Sequence, residues 1–155
     1  RIKPDYAEAY FGLGDMCYAL GRYQEAKDAY KEAIGIKPDN AEAHNNLGNS
    51  YGNLGYSQKA IDEYKEAIRL KADFATAHYN LGLTYGKLDR YQEAIDAYKE
   101  AIRLQPDYVL AHYNLALAYM HNGQRNQALE EYEILKDLNK QYADVLHSQL
   151  LSMNP

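Results

Sequence analysis

Apolar and small residues fall at three- and four-residue steps through most of the chain, the spacing that gathers side chains on one face of an α-helix. His78, Leu81, Gly82 and Tyr85 mark one such stripe, and Ala94, Tyr98, Ala101 and Ile102 mark the next. The two stripes predict a pair of helices separated by a short break, and the pair recurs. Asn46 and Asn80 lie 34 residues apart, as do Pro4 and Pro38, Tyr64 and Tyr98, and His78 and His112. A fixed period of this size means that one helix pair cannot bury its apolar face alone, so stacked neighbours must supply a continuous core. The expected fold class is all-α, a solenoid forming a single array over residues 1–155. Units are expected at 7–40, 41–74, 75–108 and 109–142.

Within each unit Gly21, Gly55, Asp89 or Gly123 stands where the first helix must end in a left-handed residue, which glycine adopts without steric cost and aspartate tolerates. Between units the chain reads Lys37-Pro38-Asp39 and Gln105-Pro106-Asp107, with Lys71-Ala72-Asp73 lacking the proline. Proline stops the outgoing helix, and the aspartate after it is expected to cap the next one. Asp5 with Glu8 and Asp39 with Glu42 have the spacing of capping boxes. Arg1 to Asp5 repeats the tail of a unit, as in Gly35 to Asp39, so the chain is expected to be a piece of a longer protein. Residues 143–153 read as a C-terminal capping helix, with Gln149-Leu150 in place of Leu-Gly.

These residues resemble the tetratricopeptide repeats. The family pattern is a large residue, then Leu-Gly, Tyr, Ala, an aromatic, Ala and Pro. The third unit carries it as His78, Leu81-Gly82, Tyr85, Ala94, Tyr98, Ala101 and Pro106. Departures are Cys17 for a tyrosine, histidines for the usual tryptophan, Ala72 for a proline and Leu135 for a small residue. The resemblance implies a right-handed α-solenoid of helix-turn-helix units whose first helices line a concave surface. The Asn-Leu-Gly segments at Asn46 and Asn80, and Asn114-Leu115-Ala116, are most similar to the superhelix of the O-linked N-acetylglucosamine transferases, where such a ladder holds peptide backbone.

Composition narrows the function classes. A net charge of −5 argues against nucleic acid as a partner, because phosphate backbones need a basic face. No apolar run has the length of a membrane span, so no membrane insertion is expected. One cysteine excludes an internal disulfide and leaves the compartment open; Cys17 lies on the packing stripe and reads as a small buried hydrophobe. Seventeen tyrosines against two phenylalanines and no tryptophan suggest rings packed at helix junctions with hydroxyls at the edge. No spacing suggests a catalytic set, a phosphate loop or a metal site, so no cofactor and no metal are expected. His44, His78 and His112 read as buried, neutral core rings, which predicts stability lost as pH falls through the histidine range.

The side chains left over by the core point to a protein or peptide partner held on the concave face. They are Asn45, Asn46, Asn49 and Asn53 in the second unit, Tyr79, Asn80, Leu83 and Lys87 in the third, and Tyr113, Asn114, Leu117 and His121 in the fourth. Asn46, Asn80 and Asn114 share one phase; an amide carries both donor and acceptor, so the three can grip an extended backbone, or else bond neighbouring helices. Chaperone-binding members of the family clamp a terminal carboxylate, but Asn45, Leu110 and Asn114 stand here where that clamp needs cations. Self-association through the array ends and recruitment of substrate for an attached enzyme stay open beside the peptide-binding reading.

Overall fold

A computed structural model of the chain describes residues 4–152, with side chains from residue 6 onward. Among these residues there are nine helices and no strand: α1 (Pro4–Ala19), α2 (Tyr23–Ile36), α3 (Ala41–Asn53), α4 (Ser57–Leu70), α5 (Ala75–Lys87), α6 (Tyr91–Leu104), α7 (Val109–His121), α8 (Arg125–Leu138) and α9 (Lys140–Ser152).

Each hairpin turns on a residue in the left-handed region, Gly21, Gly55, Gly123 and, alone among the described non-glycine residues, Asp89 with φ 57°. After that residue the chain closes back on the helix it has left: the N–H of Arg90 donates to the Tyr85 carbonyl at 3.0 Å, and that of Gln124 to Tyr119 at 2.8 Å. These bonds satisfy carbonyls that the helix end would otherwise strand.

The starts of α3, α5 and α7 correct the expected caps. Their N-cap residues are Asn40, Phe74 and Tyr108, one position after each aspartate, and only Asn40 caps with its side chain, accepting the Ala43 N–H at 3.0 Å. Pro38 and Asp39 occupy the inter-helix turn, so the Asp39–Glu42 capping box does not form; the Asp5 side chain lies outside the described residues. At α9 the connection shortens to Asn139, whose Oδ1 accepts the Tyr142 N–H at 3.3 Å.

Within a hairpin the two helices meet at a glycine. A Cβ built on Gly48 would lie 2.6 Å from Tyr64 Cε1, and one on Gly82 the same distance from Tyr98 Cε1. The ring of the second helix therefore lies on bare backbone of the first. Ile61, Ile95, Leu115, Leu135 and Leu146 fill the seam between layers. Each first helix packs against the next one, α1 on α3, α3 on α5 and α5 on α7, whereas α2, α4, α6 and α8 do not approach one another within 8 Å between Cα atoms. The stack therefore curves with the first helices inside, and the inner wall is theirs. No described helix is long and apolar enough to cross a membrane. The outer helices carry three-residue ion pairs such as Arg69–Glu66 at 2.6 Å and Arg103–Glu100 at 2.9 Å, exposed and each worth little.

Candidate functional site

The inner wall is laced by amides. Asn46 donates to Asp15 Oδ1 at 3.1 Å, Asn80 to Asn45 Oδ1 at 3.0 Å, and Asn114 to the Tyr79 hydroxyl at 3.1 Å. Each rung thus commits an N–H to the preceding first helix, and Asn45 also donates to Asn46 Oδ1 at 3.1 Å. The ladder read from the sequence exists, but it ties layers together. Alanine at Asn80 or Asn114 would cost stability as well as any binding, since it strands the buried Asn45 or Tyr79, whereas Asp15, the partner of Asn46, is exposed. Asn45 is 4 % exposed and Tyr79 9 %, which corrects their assignment to the open surface: both are enclosed between α3, α5 and α7. Tyr79 lies there because its ring packs at a tilt against Tyr108, centroids 4.9 Å apart, beside the Tyr98 ring at 5.9 Å.

Two adjoining pockets open beside these rungs. The first, about 220 Å³, is polar and is lined by Asn49, Asn53, Asn80 and Thr84, with Tyr18, Tyr64 and Gly52 at its sides. The second, about 260 Å³, is mainly apolar and is lined by Leu83, Leu117, Ala118, Tyr98 and Gly86, with Asn114, Tyr91 and His121 at its sides. Leu83 and Lys87 belong to both. Of the twelve candidates, Asn49, Asn53, Asn80, Leu83, Lys87, Asn114, Leu117 and His121 meet there. Asn46 lies on the wall, and Tyr113 stands apart, lining a pocket of about 240 Å³ with Gln141, Tyr142 and Val145.

The two adjoining pockets are one site built twice. Asn49, Asn53, Thr84 and Tyr64 in the first correspond, 34 residues on, to Leu83, Lys87, Ala118 and Tyr98 in the second. The tyrosines, glycines and small residues of this lining were missed from the sequence because they belong to the repeat's packing pattern. Their edges face the groove while their bodies hold the hairpin together. His121 stacks on Tyr91, centroids 5.0 Å apart and planes 10° from parallel, forming a flat wall at the far side.

Tyrosine hydroxyls complete the wall. Tyr30 donates to Asp15 at 2.7 Å and Tyr64 to Asn49 at 2.8 Å, while the Tyr18 hydroxyl accepts from Asn53 at 2.9 Å. Burial pushes the pKa of Tyr79 up to about 12 and those of Tyr30, Tyr64 and Tyr98 higher still, so all four hydroxyls remain neutral.

The histidines behave otherwise than expected. His44 Nδ1 lies 2.7 Å from Glu63 Oε2 and Nε2 lies 3.0 Å from the Pro38 carbonyl oxygen; His112 repeats this with Glu131 at 2.6 Å and Pro106 at 2.9 Å. Both ring nitrogens face acceptors, an arrangement that only the doubly protonated ring satisfies. At His44 the Glu63 carboxylate outweighs burial and, with the Pro38 carbonyl, holds the pKa above the ordinary histidine value. At His112 burial pulls the pKa down, but Glu131 and the Pro106 carbonyl together outweigh it and raise it. The reading of these two as neutral rings is therefore corrected. His78 lacks the arrangement: Ala97 stands where the carboxylate would be, and its Nε2 lies 3.4 Å from the Ala72 carbonyl oxygen. Among the described residues no three His, Cys, Asp or Glu side chains converge as metal ligands would.

Comparison with known proteins agrees with this architecture. No curated protein matches the sequence. Three family profiles do, described as TPR repeat over residues 14–55 and 58–89, and as tetratricopeptide repeat over 75–108 and again over 97–130. Among solved structures, the crystal structure of MamA superposes with a TM-score of 0.85 at 28 % identity, over 92 % of this chain and 83 % of that one. YrrB, titled a TPR protein with an unusual peptide-binding site, gives 0.80 at 24 %, over 92 % and 74 %. The first TPR of Spaghetti (RPAP3), bound to the HSP90 peptide SRMEEVD, gives 0.76 at 21 %, over 79 % and 97 %. The last two likenesses, below a quarter identity, speak for the fold alone. With its period, its glycine-seated tyrosines and these matches, the chain belongs to the tetratricopeptide repeat family.

Proposed function

We propose that the chain works as a protein–protein interaction module that holds an extended peptide segment of a partner along the inner wall of α3, α5 and α7, with no chemistry of its own. The observation that carries this reading is the pair of adjoining pockets sharing Leu83 and Lys87. First helices in neighbouring units lie roughly 8–10 Å apart, and an extended chain advances about 3.3 Å per residue, so side chains about three residues apart reach successive pockets. Residues 4–152 form one array in this reading, and α9 closes its far end over α7 and α8.

The test is selection of random peptides displayed on phage, followed by calorimetry on the chain and on Leu117→Ala and Lys87→Ala. Leu117 is half-buried and Lys87 exposed, so both variants are expected to fold. Groove binding predicts at least about fivefold weaker binding in one of them with little change in melting temperature. Peptides that bind both variants as tightly as the parent would defeat the proposal.

A second reading has its own support. Tyr6, Leu13 and Met16 on α1, and Leu20 just after it, are exposed, whereas the register equivalents of Leu13 in later units, Leu47, Leu81 and Leu115, are buried. Such a face suits self-association through the array ends. Light scattering across concentration tests it: a mass that stays monomeric throughout removes it.

A further inference from the structure

The duplicated pocket differs in one polar atom. In the first two hairpins the tyrosine of the second helix is paired across to the first helix, Tyr30 with Asp15 at 2.7 Å and Tyr64 with Asn49 at 2.8 Å. In the third hairpin the corresponding residues are Tyr98 and Leu83, and leucine accepts no hydrogen bond. Tyr98 is 3 % exposed, yet among the described residues its hydroxyl has no partner. It lies beside Gly86, 3.9 Å from where a Cβ on that glycine would be, and both line the apolar pocket. A donor and acceptor thus stands at the back of a mainly apolar pocket.

We infer that this pocket takes a tyrosine side chain of the bound segment, its ring between Leu83 and Leu117 and its hydroxyl paired with that of Tyr98. The inference rests on the peptide-binding reading given above and names what that site selects. A pocket of about 260 Å³ has room for an aromatic ring. The Tyr98 hydroxyl still touches solvent at the back of the pocket, and a guest that covers it is favoured if it pairs with the oxygen over one that strands it. A carboxylate would meet the same hydroxyl, but taking a charge out of water into walls of leucine and alanine is costly. Lys87 lies at the rim in reach of a ring face, as Lys65 and Lys99 lie 6.0 and 5.8 Å from the rings of Tyr85 and Tyr119 elsewhere in the molecule. The neighbouring polar pocket offers no such place, since Tyr64 is already paired with Asn49.

Peptides selected from the random phage-displayed library that lose affinity for Leu117→Ala are the probe. They are expected to share a tyrosine, and replacing it by phenylalanine should weaken binding to the parent chain roughly three- to tenfold. On Tyr98→Phe the tyrosine and phenylalanine peptides should bind equally, closing a double-mutant cycle on the two hydroxyls. Leu83→Asn, which recreates the Asn49–Tyr64 pair, should fold and cancel the preference. Groove-binding peptides without a shared tyrosine would overturn the inference while leaving the groove as a peptide site. So would a tyrosine preference that survives unchanged in Tyr98→Phe. Recovering no groove binder would bring down both readings.

Discussion

Two glycines of α3, one turn apart, should respond in opposite directions to the same added methyl group. In Gly48→Ala the new Cβ would lie 2.6, 2.8 and 3.1 Å from Cε1, Cδ1 and Cζ of Tyr64. That ring cannot swing aside easily, because it is 3 % exposed and its hydroxyl is bonded to Asn49 at 2.8 Å. Forcing atoms into a packed interior costs about 1–3 kcal/mol, and loosening the Tyr64–Asn49 bond adds about 1 kcal/mol. Alanine's better helix propensity returns about 1 kcal/mol. The expected net loss is roughly 1–3 kcal/mol by these principles. In Gly52→Ala the Cβ meets only the Tyr64 hydroxyl, at 3.9 Å, an ordinary contact. The propensity gain of about 0.5–1 kcal/mol should then stand uncancelled. Urea unfolding followed by far-UV circular dichroism measures the separation between the two variants. Because stacked repeats can unfold in parts, hydrogen exchange of the α3 and α4 amides should accompany it. A Gly48→Ala chain as stable as the parent, or a Gly52→Ala chain destabilised as much, would refute the close-contact argument. The fourth hairpin shows one accommodation: Ala116 stands in the register of Gly82, and its partner Tyr132 is half-buried where Tyr98 is buried.

The histidine pairs set a pH dependence whose sign follows from their raised pKa. Their contribution is fully present below the unfolded value of about 6.5 and is lost as pH rises through the higher folded values. Chemical denaturation at stepped pH should show declining stability across that window, and Glu63→Gln with Glu131→Gln should flatten it while lowering stability by about 1–2 kcal/mol per part-buried pair. Stability that instead rises with pH there would restore the neutral-ring reading. At the third turn, Asp89→Gly should relieve the left-handed strain and raise stability by up to about 1 kcal/mol, less what is lost with the Tyr91–Asp89 hydrogen bond. A clear drop in its thermal midpoint would show that the bond outweighs the strain.

What the sequence made legible and what it hid divide along one physical line. The 34-residue interval fixes which residues repeat, and a repeated apolar residue has few places to go except the seam; hence the pairing of helices and the left-handed turns could be read directly. Polar outcomes depend on a second residue in another helix. His44 and His78 look alike along the chain, yet 19 residues on one meets Glu63 and the other Ala97, and only the first is held as a cation. The asparagine rungs share a phase, but whether an amide faces the groove or the next layer depends on what lies one unit back: Asn45 and Tyr79 are different acceptors at one repeat position, and Asp15 accepts from one turn further along its helix. Tyr30, Tyr64 and Tyr98 look identical too, and differ only through residues 15 positions earlier, Asp15, Asn49 and Leu83. In a solenoid the core is written in the repeat itself, whereas a site is written where one unit departs from its neighbours. The departure to weigh here is Leu83, since replacing an acceptor by a hydrocarbon leaves a tyrosine hydroxyl at the edge of an apolar pocket for another chain to complete.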